Sequence, residues 1–269
     1  MEARLVVAAP HEVASKPPGD EVSPITADPA PAERPLIALL GPLTIHGAKQ
    51  SRRGLRARAL ELIAFLALRR EGAQRDEILE ALWPGEDPRR SRHRLYQAVR
   101  DARRLLGDAV SSERDRYWLE RDRVRVDVDE LDELVDKARR ARRDTRAELL
   151  ERALMLFRGE PLAGCDYVWS EGELRRLGAT YVELLKRVGR ARLERGDPQA
   201  SLAAAERGLV VDALDEDLWR LALEAEGALG LREAIDERYG RLRDLLHERL
   251  ALEPAKETRA LYLRLLGQG

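Results

Sequence analysis

The sequence predicts a mostly α-helical fold with a small β component. Three observations support this: apolar residues recur at helical spacing over most of the chain, strand-like runs are confined to its first half, and a 34-residue repeat is visible in its second half. Hydrophobic residues make up 44% and aromatic residues 4% of the 269 residues. The core is therefore expected to consist mainly of leucine, alanine and valine. The length of the chain indicates two domains.

Charge is distributed unevenly along the chain. Residues 36–128 contain 20 Lys and Arg against 14 Asp and Glu, whereas residues 129–269 contain 25 against 29. A basic segment joined to an acidic one indicates a nucleic-acid-binding module attached to a second domain.

The first 34 residues contain six of the 13 prolines and show little periodicity, which predicts a disordered tail. The apolar core at Leu5–Ala9 is too short for a signal peptide, and no stretch approaches the roughly 20 apolar residues of a membrane span. The single cysteine, Cys165, excludes an intrachain disulfide and fits a reducing compartment. We therefore expect a cytoplasmic protein that does not contact a membrane.

Residues 35–128 show the outline of a winged helix-turn-helix domain. An apolar run, a Gly-Pro turn and a weakly alternating run at 43–47 predict a small hairpin. Three helices are expected over 55–70, 75–83 and 88–107, the second ending at Pro84-Gly85. Two strand-like runs follow, at 116–120 and 124–130, and we expect them to form the hairpin that serves as the wing.

The helix expected over 88–107 has two different faces. Asp87 is a suitable N-cap, and Pro88 suits the first helical position. Leucine, valine and alanine recur at helical spacing on one side, which predicts that this side is buried. The opposite side carries arginine, histidine and glutamine, which donate hydrogen bonds to phosphates and to purine edges. Asp101 is expected on this exposed side as well, where it would weaken the attraction for DNA.

The residues expected to contact double-stranded DNA fall into three groups. The candidates for base edges are His93, Gln97 and Arg100, with Tyr96 beside them. The candidates for phosphates on the helix are Arg90, Arg92, Arg94, Arg103 and Arg104. The candidates for phosphates on the wing are Arg114 and Arg116.

Residues 129–269 are helical in pattern throughout, with helices expected over 131–142, 146–157 and 171–195. Gly196 and Gly230 lie 34 residues apart within similar segments, and several alanine and arginine positions keep the same offset. This is the period of the tetratricopeptide repeat, a pair of packed helices. The segment is therefore expected to be an all-α, tetratricopeptide-like domain with glycines at its turns.

The order of these elements resembles the Streptomyces antibiotic regulatory protein type of transcriptional activator. The segments that match are L-L-G-P-L-T-I at 39–45, E-I-L-E-A-L-W-P at 77–84, L-Y-Q-A-V-R-D-A-R-R-L-L-G at 95–107, V-R-V-D-V-D-E-L at 124–131 and L-L-E-R-A-L-M-L-F-R-G-E-P-L at 149–162. The resemblance implies an OmpR-like winged helix at 35–128 and a bacterial transcriptional activator domain at 129–269. It also implies a DNA-binding activator at the bacterial nucleoid, with RNA polymerase, a sigma factor or a second copy of the chain as partners.

Catalysis finds no support in the sequence. The four histidines lie in separate elements without metal-ligand spacing, and neither a nucleophile motif nor a glycine-rich phosphate loop is present. We therefore expect a protein that is not an enzyme and that needs no cofactor or metal. One alternative stays open: because of Asp101 and the net charge of −1, the chain is instead an interaction adaptor whose winged helix no longer binds DNA specifically.

Overall fold

The computed structural model describes residues 34–48 and 57–267. The tail expected over 1–34 therefore lies outside the described residues except for Arg34. Six short strands and ten α-helices occur in the described ranges. The strands are β1 (Leu36–Ala38), β2 (Thr44–His46), β3 (Ala73–Gln74), β4 (Val110–Glu113), β5 (Arg116–Leu119) and β6 (Arg125–Val126). The helices are α1 (Ala57–Ala67), α2 (Arg75–Leu82), α3 (Pro88–Leu106), α4 (Asp127–Arg140), α5 (Arg143–Met155), α6 (Glu171–Glu194), α7 (Pro198–Val211), α8 (Glu216–Ala228), α9 (Arg232–Leu250) and α10 (Lys256–Leu266).

The predicted N-terminal hairpin is present. Strands β1 and β2 pair antiparallel, with Ile37 opposite Ile45. Strand β6 then pairs parallel to β1, with Ile37 beside Val126. This gives a three-stranded sheet in the order β2-β1-β6.

The predicted partners of the wing were wrong. The run at 116–119 does form a strand, but it pairs with β4 at 110–113 and with β3, not with the run at 124–130. The second run adds only β6 to the other sheet, and α4 already begins at Asp127. The apolar pattern identified the buried side chains of Val124, Val126 and Val128 correctly, but burial alone does not say which strand is the neighbour.

Helix α1 is the central helix of the N-terminal part, as its nearly continuous apolar sequence predicts. Leu62, Ile63, Phe65 and Leu66 are all buried. Helix α2 begins with a capping box, in which the backbone N–H of Gln74 donates to the Glu77 carboxylate at 2.7 Å. Helices α2 and α3 pack against α1 as in a helix-turn-helix.

The 34-residue repeat corresponds to two helix pairs, α6–α7 and α8–α9. Gly196 and Gly230 lie at their turns with φ of +81° and +73°. The N–H of the residue after each glycine donates to a carbonyl five positions back: Asp197 to Arg192, and Leu231 to Glu226. This is the Schellman end of a helix, which favours glycine because its backbone is left-handed. The prediction that these glycines lie at turns is confirmed.

The N-terminal and helical parts share one continuous hydrophobic core, which extends from Ile37 to Ala204. The ring of Trp169, which precedes α6, packs edge-on against Phe65 of α1 at 5.0 Å between centroids. Its Nε1 donates to the Glu61 carboxylate at 3.1 Å. Trp169 therefore joins the two parts of the chain, although it lies within the helical part in sequence.

Asp127 and Arg158 form a second connection. The buried Asp127 carboxylate accepts hydrogen bonds from the backbone N–H groups of Leu39 at 2.8 Å and Leu40 at 2.9 Å. Arg158 donates to the same carboxylate at 3.1 Å and to Thr44 Oγ1 at 3.2 Å. The segment after α5 is thereby fixed to the β1–β2 loop.

Candidate nucleic-acid interface

Helix α3 is held with one face toward the core. The Asp87 carboxylate accepts from the N–H groups of Arg89 at 3.0 Å and Arg90 at 3.1 Å, and Pro88 occupies the first turn, as predicted. The side facing the core is buried along its whole length: Ser91, Leu95, Ala98, Val99, Ala102, Leu105 and Leu106. The helix is continuous over nineteen residues, so its opposite side faces solvent.

The exposed side of α3 brings most of the predicted residues together. The exposed members are Arg90, Arg92, His93, Tyr96, Arg100, Arg103 and Arg104, and the partly buried members are Arg94 and Gln97. Tyr96 is 58% exposed although it is a large aromatic residue. Gln97 Nε2 and His93 Nε2 lie 2.7 Å apart, so two of the three candidates for base contacts hold each other in place.

The predicted position of Asp101 on the exposed side was wrong. Asp101 is only 5% exposed and lies at the border of the buried face. Its Oδ1 lies 3.3 Å from Arg104 Nη1 and 3.8 Å from Arg100 Nε. At 100° per residue this position is close enough to the edge of the apolar stripe for the side chain to turn inward. The one carboxylate of α3 is therefore used to hold two arginines.

Three of the predicted arginines also have contacts within the protein. Arg94 forms an ion pair with Glu86 in the α2–α3 turn. Arg103 donates from Nε to the Val110 carbonyl at 3.0 Å and from Nη2 to Ser112 Oγ at 2.9 Å, which connects α3 to β4. Arg116 donates from Nε to the Glu71 carbonyl at 2.9 Å.

The tip of the wing is a two-residue turn between Glu113 and Arg116. Arg114 and Asp115 have φ of +46° and +69°, as a type I′ turn requires. The Arg114 side chain is 93% exposed. Asp115 accepts from Arg75 Nη1 at 2.7 Å, and its carbonyl accepts from the Arg75 N–H at 2.7 Å. The Asp115 carboxylate raises the pKa of Arg75 despite the opposing effect of desolvation. The start of α2 therefore holds the tip.

Sequence reasoning missed Trp83 as a candidate donor. Trp83 is 4% exposed, and its buried Nε1 has no hydrogen-bond partner. It lines a small cleft of about 200 Å³ together with Arg58, Arg94 and Gln97. A buried indole N–H normally has a partner, so Nε1 is a donor that the free protein leaves unused. The signal in the sequence was the position of Trp83 at the end of α2, next to Pro84.

The described ranges contain no cluster of three or more histidine, cysteine or acidic residues that could hold a metal ion. They also contain no helix with the length and apolarity needed to cross a bilayer. Cys165 is partly buried and forms no disulfide.

Comparison with known proteins identifies the family. The family of the bacterial transcriptional activator domain matches residues 126–266, which is more than half of the chain. The chain is 25% identical over 245 residues to the transcriptional regulatory protein MoaR1 of Mycobacterium bovis and to that of Mycobacterium tuberculosis; the match covers 86% of this chain and 78% of each relative. The structure of Mycobacterium tuberculosis EmbR in complex with a low-affinity phosphopeptide superposes with a TM-score of 0.73 at 25% identity.

That superposition covers 87% of this chain and 65% of the EmbR chain, so the present chain spans slightly less than two thirds of EmbR. The matched architecture agrees with the winged helix and helical repeats described above. The chain is a transcriptional regulator that belongs to the bacterial transcriptional activator domain family.

Proposed function

We propose that this regulator binds duplex DNA with the exposed side of α3 in the major groove and with the wing on the adjacent backbone. One observation carries the proposal. The exposed side of α3 presents seven arginines or histidines and no exposed carboxylate, because its only acidic residue, Asp101, is buried. A solvated helix face normally mixes both signs of charge, whereas a face that meets phosphates does not.

The roles of the side chains follow from their positions. Arg100 lies at the centre of the exposed side, and Asp101 holds its Nε. It is therefore our candidate for guanine, with His93 and Gln97 beside it as a hydrogen-bonded pair. Arg90 and Arg92 have no ion-pair partner among the described residues, which leaves their guanidinium groups available for phosphates.

Trp83 extends this interface toward the α2–α3 turn. A phosphate at its cleft would accept from the two arginines that line it, Arg58 and Arg94. It would accept from Nε1 as well once the side chains that cover this atom move aside. This occupant would satisfy the buried donor and add two charge-assisted hydrogen bonds. The wing adds Arg114 at its tip. Arg103 and Arg116 position the wing through their contacts with Val110, Ser112 and Glu71, and their free N–H groups would contact DNA phosphates.

The adaptor interpretation is not favoured. It depended on an exposed Asp101 and on the net charge of −1. Asp101 is buried, and the net charge does not describe the exposed side of α3. We further propose that the helical part mediates dimerisation or contact with RNA polymerase or a sigma factor, that the protein regulates rather than catalyses, and that it acts in the cytoplasm at the nucleoid. The family to which the chain belongs supports these assignments.

The test is a fluorescence-anisotropy titration of the full chain with labelled random duplex DNA over a series of salt concentrations. Affinity is expected to fall with a log–log slope of about −0.9 per neutralised phosphate. The double variant Arg90→Gln/Arg92→Gln should bind more weakly and reduce the slope by about 2. Arg259→Gln, an exposed arginine of α10, serves as the control. Equal losses in both variants, or a flat dependence on salt, would refute the proposal.

A further inference from the structure

We propose that the cleft between α5 and α6 binds a small molecule that carries two or more phosphate groups. The cleft lies between the first half of α5 and the last third of α6 and has a volume of about 820 Å³. Five arginines line it, from both helices: Arg143, Arg146, Arg187, Arg190 and Arg195. The inference does not depend on DNA binding by α3, because the two surfaces share no residue.

The charge of this cleft departs from that of its surroundings. Residues 129–269 contain more acidic than basic residues, 29 against 25. Two acidic residues, Asp144 and Glu194, line the cleft with the five arginines, and Glu183 outside the lining pairs with Arg187 at 2.7 Å. Gathering like charges in one place costs free energy in the absence of a counter-charge. An arrangement of this kind is therefore expected where an anion binds.

Several of the guanidinium groups keep donors available. Arg195 has no ion-pair partner among the described residues. Arg190 lies 3.8 Å from Asp217, a carboxylate that Arg220 and Lys186 already neutralise. Arg146 uses Nε and Nη2 for the Ala138 and Ala141 carbonyls at 3.2 and 3.0 Å, which fixes its orientation and leaves Nη1. A guanidinium held in this way recognises phosphate with little loss of side-chain entropy.

Glu194 spans the mouth of the cleft. It pairs with Arg143 across the two helices, and both side chains are more than half exposed. An exposed ion pair of this kind contributes little to stability and opens easily. Phosphate can therefore replace Glu194 as the partner of Arg143.

The uncharged residues that line the cleft favour a small ligand over a nucleic-acid backbone. These residues are Ala147, Leu150 and Ala191. The small alanine side chains leave the space between the helices open. The uncharged part of a ligand would lie there, and the volume is within the range of small-molecule sites. The first turn of α5 has no side-chain N-cap, so its N–H groups add positive potential at the same end of the cleft.

The experiment is isothermal titration calorimetry of the full chain with inorganic pyrophosphate at physiological salt. We expect one site, with inorganic phosphate binding more weakly. The variant Arg190→Gln/Arg195→Gln should raise the dissociation constant about tenfold or more. Both residues are exposed, so its melting temperature should stay near that of the wild type.

Two matched variants locate the site. Arg241→Gln/Arg249→Gln removes two exposed arginines of α9 outside the cleft, and Arg90→Gln/Arg92→Gln removes two from the DNA-binding side of α3. Both should leave pyrophosphate binding unchanged. The proposal is overturned if pyrophosphate does not bind or if the α3 variant loses binding. It is also overturned if the cleft variant weakens only DNA binding, because the cleft would then contact nucleic acid.

Discussion

At the scale of single residues, Asp101 and Trp83 are the two buried polar side chains on which the proposed DNA interface depends. Asp101 is a buried acceptor that reaches two outward-pointing arginines, so it limits where their guanidinium groups lie. Trp83 is a buried donor without a partner beside two further arginines. Neither residue type by itself predicts a role at a DNA interface. An acidic residue is expected to repel DNA, and a tryptophan is expected to lie mostly buried.

Asp101→Asn should lower sequence discrimination more than general affinity. Loss of the carboxylate removes a repulsive charge but also releases Arg100 and Arg104. We expect the ratio of affinities for a cognate site and for random DNA to fall about fivefold, equivalent to ~1 kcal/mol. The cognate site is first selected from a pool of random duplexes, and both affinities are measured by anisotropy. An unchanged ratio would show that Asp101 does not position these arginines.

Trp83→Phe should weaken DNA binding without loss of stability. Phenylalanine keeps most of the packing and removes a donor that has no partner in the free protein, so the melting temperature should stay the same or rise. The dissociation constant for DNA should rise about tenfold or more, since one hydrogen bond to a charged group is lost. Trp219→Phe is the control: it loses a bond from Nε1 to the Ala213 carbonyl at 2.8 Å, so it should lower the melting temperature and leave DNA affinity unchanged.

At the scale of elements, the wing retains local backbone strain at its tip. A type I′ turn normally carries Asn-Gly or Gly-Gly, whereas here Arg114 and Asp115 adopt left-handed conformations. The ion pair of Asp115 with Arg75 offsets part of this cost and ties the tip to α2. Arg114 has only a 3.8 Å contact with the exposed Glu113, which does not explain why an arginine stands there. A phosphate contact would explain it.

Arg114→Gly should therefore raise stability and weaken DNA binding. Glycine relieves the left-handed strain, and we expect a gain of about 0.5–1 kcal/mol in the free energy of unfolding. Loss of one phosphate contact should reduce the salt slope of DNA binding by about 0.9. Arg114→Asn, which also tolerates the left-handed region, should show the same loss of affinity. If the salt slope of both variants equals that of the wild type, Arg114 does not contact the backbone.

At the scale of the whole molecule, the winged helix and the helical repeats are physically continuous. They share one apolar core, the Phe65–Trp169 contact and the hydrogen bonds of Asp127. Asp127 belongs to the first turn of α4 but satisfies two N–H groups of the β1–β2 loop. The segment 129–269 on its own would expose this core, so the full chain is expected to unfold in one cooperative transition.

Asp127 also gives stability a dependence on pH. Burial raises the pKa of Asp127 above its ordinary 3.8, although the N–H groups of Leu40 and Leu39 and the charge of Arg158 act in the opposite direction. The folded protein therefore retains this proton at pH values where the unfolded chain has lost it. Between about pH 3.8 and a pH above the pKa of Asp127 in the folded protein, this group therefore makes the free energy of unfolding fall as pH rises.

The variant Asp127→Asn should lose this contribution to the pH dependence of the free energy of unfolding, because an amide does not titrate in this pH range. Urea unfolding of wild type and variant between pH 4 and neutral pH should give a flatter profile for the variant, apart from a constant offset due to the lost ion pair with Arg158. Asp166→Asn, at an exposed position, should follow the wild type. Parallel profiles for Asp127→Asn and the wild type would contradict the assigned direction of the pKa shift.

The sequence by itself determined the class of fold, the faces of α3 and the turns of the repeat. These depend on local periodicity, on caps such as Asp87 and on the backbone freedom of Gly196 and Gly230, all of which act within a few residues. The DNA contacts assigned to α3 and the wing remain predictions, because the free protein alone does not test them.

Only the tertiary structure decided which strand pairs with β5, where the Asp101 side chain turns, and that Trp169 packs on α1. Each of these is a choice between neighbours far apart in the chain, made by the packing of the whole core and not by a local pattern. The arginine-lined cleft is of the same kind. Its two walls are about forty residues apart in sequence, and they come together only because α5 and α6 pack side by side.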